Sequence, residues 1–111
     1  MKKINENIQE LQILEQNLQS LLLQKQAFQF ELNETENALS EVSKSKDDIY
    51  KITGQIMIKA KKEEVEKELS ERKDILSLRI KSIEKQERAF KEKIDSLREE
   101  LSKNMESGKS S

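Results

Sequence analysis

Chemistry in this chain would have to come from carboxylates and amines, because the sequence contains no histidine and no cysteine. Without those residues there is no imidazole to move a proton near neutral pH, no Ser-His-Asp triad, and no imidazole or thiolate ligand for zinc. The 22 acidic and 21 basic side chains fall mostly on solvated helix faces, where nothing raises a carboxylate toward a catalytic pKa. One fragment imitates a phosphate site: Gly108-Lys109-Ser110 reads like the end of a phosphate-binding loop. That loop requires a glycine five positions before Gly108, where Lys103 stands, and it follows a strand, whereas this fragment follows a helical pattern. The chain is therefore read as a non-enzyme with no catalytic residue, no cofactor and no metal site.

The elements that position the remaining residues are legible in the apolar spacing. Ile4, Leu11, Leu18, Lys25, Leu32 and Leu39 stand seven apart, and Leu14, Leu21, Phe28, Thr35 and Val42 follow three residues later in each heptad. This is the a/d pattern of a coiled coil. A second stripe runs Leu69, Leu76, Ile83, Phe90 and Leu97, with Ile80, Ile94 and Leu101 in its other core column and Lys73 and Glu87 interrupting it. The two stripes mirror each other about Gly54. Paired antiparallel, Leu11 stands beside Leu97, Leu18 by Phe90, Leu32 by Leu76, Leu39 by Leu69, Leu14 by Ile94 and Phe28 by Ile80, each pair of numbers summing to 108. A slip of one heptad would oppose Leu11 to Asn104 or Phe90 to Lys25, so the apolar pattern itself selects this register.

With 39% charged residues, 33% hydrophobic, no proline and two glycines, the chain is too polar for a globular core and too periodic for disorder. At about 1.5 Å per residue, segments of roughly 40 and 45 residues would form arms on the order of 60 to 70 Å long. Such an arm buries one seam only and is expected to gain stability from other subunits. Residues 1–46 hold 5 basic and 7 acidic side chains and residues 61–111 hold 14 and 13, so neither arm carries a basic field and nucleic-acid binding is disfavoured. On the second arm Glu63/Lys67, Glu68/Arg72, Glu84/Arg88 and Glu87/Lys91 take the favourable i,i+4 order of a solvated helix. The longest apolar run, Leu21-Leu22-Leu23, is far too short to span a bilayer, and the N-terminal residues do not form a signal-peptide core. A soluble, unexported protein is expected, with no membrane partner, and the lack of cysteine suits a reducing cytoplasm.

Along the chain, the first helix (1–46, counting its hinge residues) is rich in glutamine and asparagine and loses its heptads after Val42, where Ser43-Lys44-Ser45-Lys46-Asp47-Asp48 brings poor helix formers. Within residues 47–60, Ile49, Tyr50, Ile52, Ile56, Met57 and Ile58 cluster around Gly54, the only interior glycine. β-Branched and aromatic residues about a glycine predict a β-hairpin. If Thr53-Gly54-Gln55 is the turn, Ile52 faces Ile56 and Tyr50 faces Ile58, giving one apolar face of four side chains. A lone two-stranded hairpin is marginal in water, so that face and its open edges need partners. The second helix is expected from about Lys61 to residue 106, followed by a disordered tail over 107–111. The resulting fold class is all-α dominated: a long antiparallel two-helix coiled coil joined by a β-hairpin.

Two further features admit alternatives. Lys25 sits in a core column and faces Ile83, one turn from Glu87; it either lays its stem along the seam with its ammonium in water or pairs with Glu87 and fixes the register. Leu23 and Phe30 fall seven apart on the outer face, as incidental exposure or as a subunit or client contact.

The stretch Ile49-Tyr50-Lys51-Ile52-Thr53-Gly54-Gln55-Ile56-Met57-Ile58-Lys59, followed by Lys62-Glu63-Glu64 and Glu68-Leu69, closely resembles the beta-type subunit of prefoldin, above all its archaeal form. The run Arg79-Ile80-Lys81-Ser82-Ile83-Glu84-Lys85-Gln86-Glu87 is similar to the second helix of the same family. Heptads, a Tyr-Lys-x-x-Gly hairpin and heptads again make a specific combination, and a single hairpin suits the beta type. The resemblance implies an ATP-independent chaperone, a hetero-hexamer of two alpha-type and four beta-type subunits whose hairpins join in a double β-barrel platform. It also implies arm tips that grip unfolded client proteins and pass them to a group II chaperonin. Ile49, Tyr50, Ile52, Gly54, Ile56, Met57 and Ile58 are then the expected oligomerisation residues. By their nearness to the tips, Ile4, Ile8, Leu11, Ile13, Leu97, Leu101 and Met105 are the expected client contacts. The rival reading is a structural coiled-coil spacer or tether that binds no client.

Overall fold

The computed structural model describes the backbone of residues 2–110 and the side chains of residues 4–105. Helix α1 (Lys2–Lys44) leads through strands β1 (Ile49–Thr53) and β2 (Ile56–Ala60) into helix α2 (Lys62–Ser110). Two compact units result. In one, α1 as far as Gln26 lies with α2 from Lys81 onward; the other comprises Ala27–Ile80.

Both helices are long because nothing in them stops propagation: neither contains proline, and leucine, glutamate, glutamine and lysine dominate. α1 ends where serines and aspartates begin. There the Ser45 N–H donates to the carbonyls of Glu41 (3.0 Å) and Val42 (3.2 Å), and the Asp47 N–H donates to Ser45 Oγ at 3.3 Å. Lys62 then serves the end of α1, donating from Nζ to the carbonyl of Ser43 (3.0 Å), which helix geometry leaves without an intrahelical partner, and to that of Ser45 (3.1 Å) just past the helix. α2 opens on the Val65 N–H bond to the Lys61 carbonyl, with Glu63 and Glu64 at the positive end of its dipole. The helix continues to Ser110, past the end expected at residue 106 and into the segment expected to be disordered; Ser111 lies outside the described residues. No proline stands there to end it, and each further residue adds one backbone bond once a helix is formed.

Within each unit the buried positions are the heptad core columns. In the first, Leu14, Leu21, Ile83, Ile94 and Leu101 are buried and Leu11, Leu18, Phe90 and Leu97 half-buried. In the second, Thr35, Leu76 and Ile80 are buried and Phe28, Leu32, Leu39 and Leu69 half-buried. The cross-helix contacts run antiparallel in both. Glu15 pairs with Arg98 and Lys25 with Glu87 in the first unit, whereas in the second Arg79 lies 5.6 Å from the centre of the Phe28 ring, Arg72 pairs with Glu31 and Lys62 reaches Ser45. The Thr35 hydroxyl, placed in an apolar column, donates to its own helix at the Glu31 carbonyl (2.8 Å) and so carries no orphaned donor into the seam.

The hairpin departs from expectation in its register. Thr53 pairs with Ile56, Ile52 with Met57, Lys51 with Ile58, Tyr50 with Lys59 and Ile49 with Ala60. The turn is therefore the two residues Gly54-Gln55, not three. Gly54 has φ 64° and Gln55, like every other described non-glycine residue, has no positive φ, the sign pattern of a II′ turn, which suits strand twist. Moving the turn by one residue redistributes the side chains. Ile52 no longer opposes Ile56, and the single apolar face becomes two: Tyr50, Ile52, Met57 and Lys59 on one side, and Ile49, Lys51, Thr53, Ile56, Ile58 and Ala60 on the other.

Candidate functional site

The hairpin leaves most of its large apolar side chains in water. Tyr50, Ile52, Ile56, Met57 and Ile58 are each half exposed or more, with Ile52 at 70%, and only Ile49 and Ala60 are half-buried. The sheet has two strands, so each strand also presents an unpaired edge of N–H and C=O groups. Apolar residues on both faces plus two open edges are what an element looks like when its neighbours belong to other chains. Two contacts tie it locally: Lys51 Nζ donates to Glu68 Oε2 on α2 at 2.8 Å, and Lys59 lies 3.5 Å from Asp48. All seven residues expected to carry assembly thus fall on one element.

The seven expected client residues divide by environment. Ile8 (39% exposed), Ile13 (57%) and Met105 (56%) face outward, while Ile4, Leu11 and Leu97 are half-buried and Leu101, at 8%, is buried in a core column. Three of them are therefore exposed and four lie in or beside the seam. Sequence reasoning passed over three other exposed large apolar residues, Leu22 of α1 and Ile75 and Leu78 of α2. Their signal was available: all three fall outside the core columns, where a solvated helix ordinarily carries charge.

Lys25 takes the paired alternative. Its ammonium lies 3.3 Å from Glu87 Oε1 and 3.5 Å from Glu84 Oε2, and Lys91 donates to the other oxygen of Glu87 at 2.9 Å. The hydrogen bond to Glu87 raises the Lys25 pKa above the ordinary lysine value against a smaller opposing effect of desolvation. Glu87 is held below the usual carboxylate value first by the hydrogen bond from Lys91 and then by that from Lys25. Of the four expected i,i+4 pairs, Glu87/Lys91 forms, whereas Glu68 turns to Lys51 and Arg72 to Glu31. Partners across the seam and on the hairpin compete successfully with partners along the helix. Among the described residues no helix is long and apolar enough to cross a membrane.

Known proteins share both the pattern and the shape. A family model described as "Prefoldin subunit" matches residues 5–108. The prefoldin beta subunit of Pyrobaculum neutrophilum is 43% identical over 90 residues, covering 79% of this chain and 71% of that protein. That of Archaeoglobus fulgidus is 38% identical over 96 residues, covering 85% and 83%. The crystal structure of the prefoldin beta subunit from Thermococcus strain KS-1 matches with a TM-score of 0.88 at 28% identity, covering 94% of this chain and 93% of that one. With the single hairpin, the heptads on either side and the match over nearly its whole length, the chain belongs to the prefoldin family as a beta-type subunit, and prefoldin subunits are chaperones, not enzymes.

Proposed function

We propose that this chain is the beta-type subunit of an ATP-independent holding chaperone that captures unfolded proteins and delivers them to a group II chaperonin in the cytoplasm. The observation that carries the reading is the hairpin, whose five large apolar side chains, on two faces, stay exposed among the described residues. Four beta-type subunits and two alpha-type subunits would cover those faces in a hexamer, the strands joining edge to edge in a double β-barrel platform. Client contact is assigned to the N-terminal end of α1 and the C-terminal end of α2, where Ile8, Ile13 and Met105 are exposed and Ile4, Leu11, Leu97 and Leu101 add apolar area when the last turns of the seam loosen. Several such ends acting together hold a client through many weak contacts that no single one could sustain.

The test is to mix the chain with an archaeal alpha-type subunit and measure light scattering from a chemically unfolded protein diluted into the mixture without nucleotide. Suppressed aggregation together with a hexameric sedimentation coefficient is expected. A stable assembly that leaves aggregation unchanged would make the chain a spacer instead.

A further inference from the structure

Charge in the unit Ala27–Ile80 is sorted into two adjacent blocks. Residues 44–62, which hold the hairpin and both of its junctions with the helices, contain six lysines and two aspartates, whereas residues 63–71 at the start of α2 contain five glutamates and one lysine. Lys46 and Lys61 in the first block, and Glu64 and Glu71 in the second, are exposed and make no ion pair among the described residues. On α2, Glu64, Glu68, Glu71, Ile75 and Leu78 follow one another in steps of four, three, four and three residues. They form one exposed stripe, acidic next to the hairpin and apolar beyond it, with Ile75 51% and Leu78 66% exposed. The bond from Lys51 to Glu68 turns one face of the hairpin toward this stripe. That face carries Ile56 and Ile58, 63% and 50% exposed. Hairpin and helix thus border an open corner that is apolar on both walls and acidic where they meet.

We propose that this corner seats the hairpin of a second copy of this chain. The proposal rests on the hexamer reading and adds to it a second surface, the flank of α2, where that reading uses the hairpins alone. Charge identifies the occupant. An apolar corner lined by carboxylates takes a segment that is itself apolar and basic, and the hairpin of this chain is both. Its face turned from Lys51 offers Tyr50, Ile52 and Met57, all more than half exposed, together with Lys59, and its base carries Lys46 and Lys61. Entering the corner of another copy, it brings lysines to Glu64 and Glu71, whereas a second acidic stripe in the same place would be repelled. Exposed ion pairs are individually weak. The charges therefore select which surfaces meet, and the apolar side chains, Ile75 and Leu78 among them, supply most of the affinity.

The test uses the full chain mixed with an archaeal alpha-type subunit. One variant, Lys46→Glu with Lys61→Glu, makes the base of the hairpin acidic; the other, Glu64→Lys with Glu71→Lys, makes the corner basic. Each variant alone sets like charges against each other across the contact, and its assembly should dissociate at a protein concentration about tenfold above that of the unmodified one. Mixed in equal amounts, the two variants each meet an oppositely charged surface on the other. Assembly should then recover to within about twofold of the unmodified chain. Native mass spectrometry of the mixture should show hexamers that contain both variants in excess of random proportions. A folding defect in either variant would not be repaired by mixing. Random composition without recovery would overturn the inference, and with each variant still weakened it would give the corner to the alpha-type subunit instead. Variants that each assemble as well as the unmodified chain would overturn it too. In both cases the hexamer itself stands, whereas failure of the unmodified chain to assemble defeats the hexamer reading and this inference with it.

Discussion

At the scale of single residues, the seam is held in water by groups that keep their charge. Lys25 and Glu87 both occupy core columns, with side chains 24% and 13% exposed, and each is bonded to the other and to a second charged neighbour. The signs of their shifts set the pH response. The stabilisation linked to Glu87, whose folded pKa is lowered, is present above the unfolded carboxylate value of about 4.3 and is lost as pH falls through the lower folded value. That linked to Lys25, whose folded pKa is raised, is present below the unfolded value of about 10.4 and is lost as pH rises through the folded one. Thermal unfolding followed by circular dichroism should give a midpoint that is flat between about pH 5 and 10 and falls on both sides. Glu87→Gln should lower the plateau and make the acid limb shallower. An unchanged acid limb would mean that Glu87 contributes nothing to it. The position of Lys25 in the core was legible from heptad spacing, but its choice between water and Glu87 was not, because spacing does not say where a long flexible side chain puts its end.

At the scale of elements, the hairpin is where assembly should succeed or fail. Its turn depends on Gly54, whose φ of 64° no β-branched residue adopts easily, while the space beside its Cα is open. Gly54→Val should therefore act through the backbone alone, costing about 1–2 kcal/mol per chain, and Gly54→Asn noticeably less. Sedimentation at falling protein concentration should show the valine variant dissociating first; indistinguishable curves would remove the turn from the account. Ile52 and Ile56 lie on opposite faces, so Ile52→Asp and Ile56→Asp test the faces separately and the double variant strikes both. Helicity should persist in the double variant, while the hexamer is lost, each unpartnered buried charge costing several kcal/mol. A hexamer that forms normally would disprove the role of the hairpin. The core columns of the helices could be read from sequence because one face of each helix is apolar and the other polar. The strand register could not: Ile52, Ile56, Met57 and Ile58 are apolar at both parities, and a strand apolar on both faces specifies its pairing weakly.

At the scale of the whole molecule, the central claim is that the N-terminal end of α1 and the C-terminal end of α2 hold the client. The candidates at those ends were found from their place in the chain, and burial separates them as sequence could not, since core and surface apolar residues differ there only by one helical step: Ile8, Ile13 and Met105 face outward and Leu101 does not. Removing residues 1–9 together with 100–111 deletes Ile4, Ile8, Leu101 and Met105 and keeps the hairpin and the seam from Leu11/Leu97 inward. The most direct measurement is the suppression of aggregation of a chemically unfolded protein by this truncated subunit and by the full-length one, each assembled with the alpha-type partner and without ATP. The truncated hexamer should assemble but hold the client far less well, because each arm loses apolar contact worth roughly 1.5–3 kcal/mol per fully engaged side chain, a loss repeated in every beta-type subunit. A truncated hexamer that suppressed aggregation as well as the full-length one would contradict the claim and move the client site away from the helix ends.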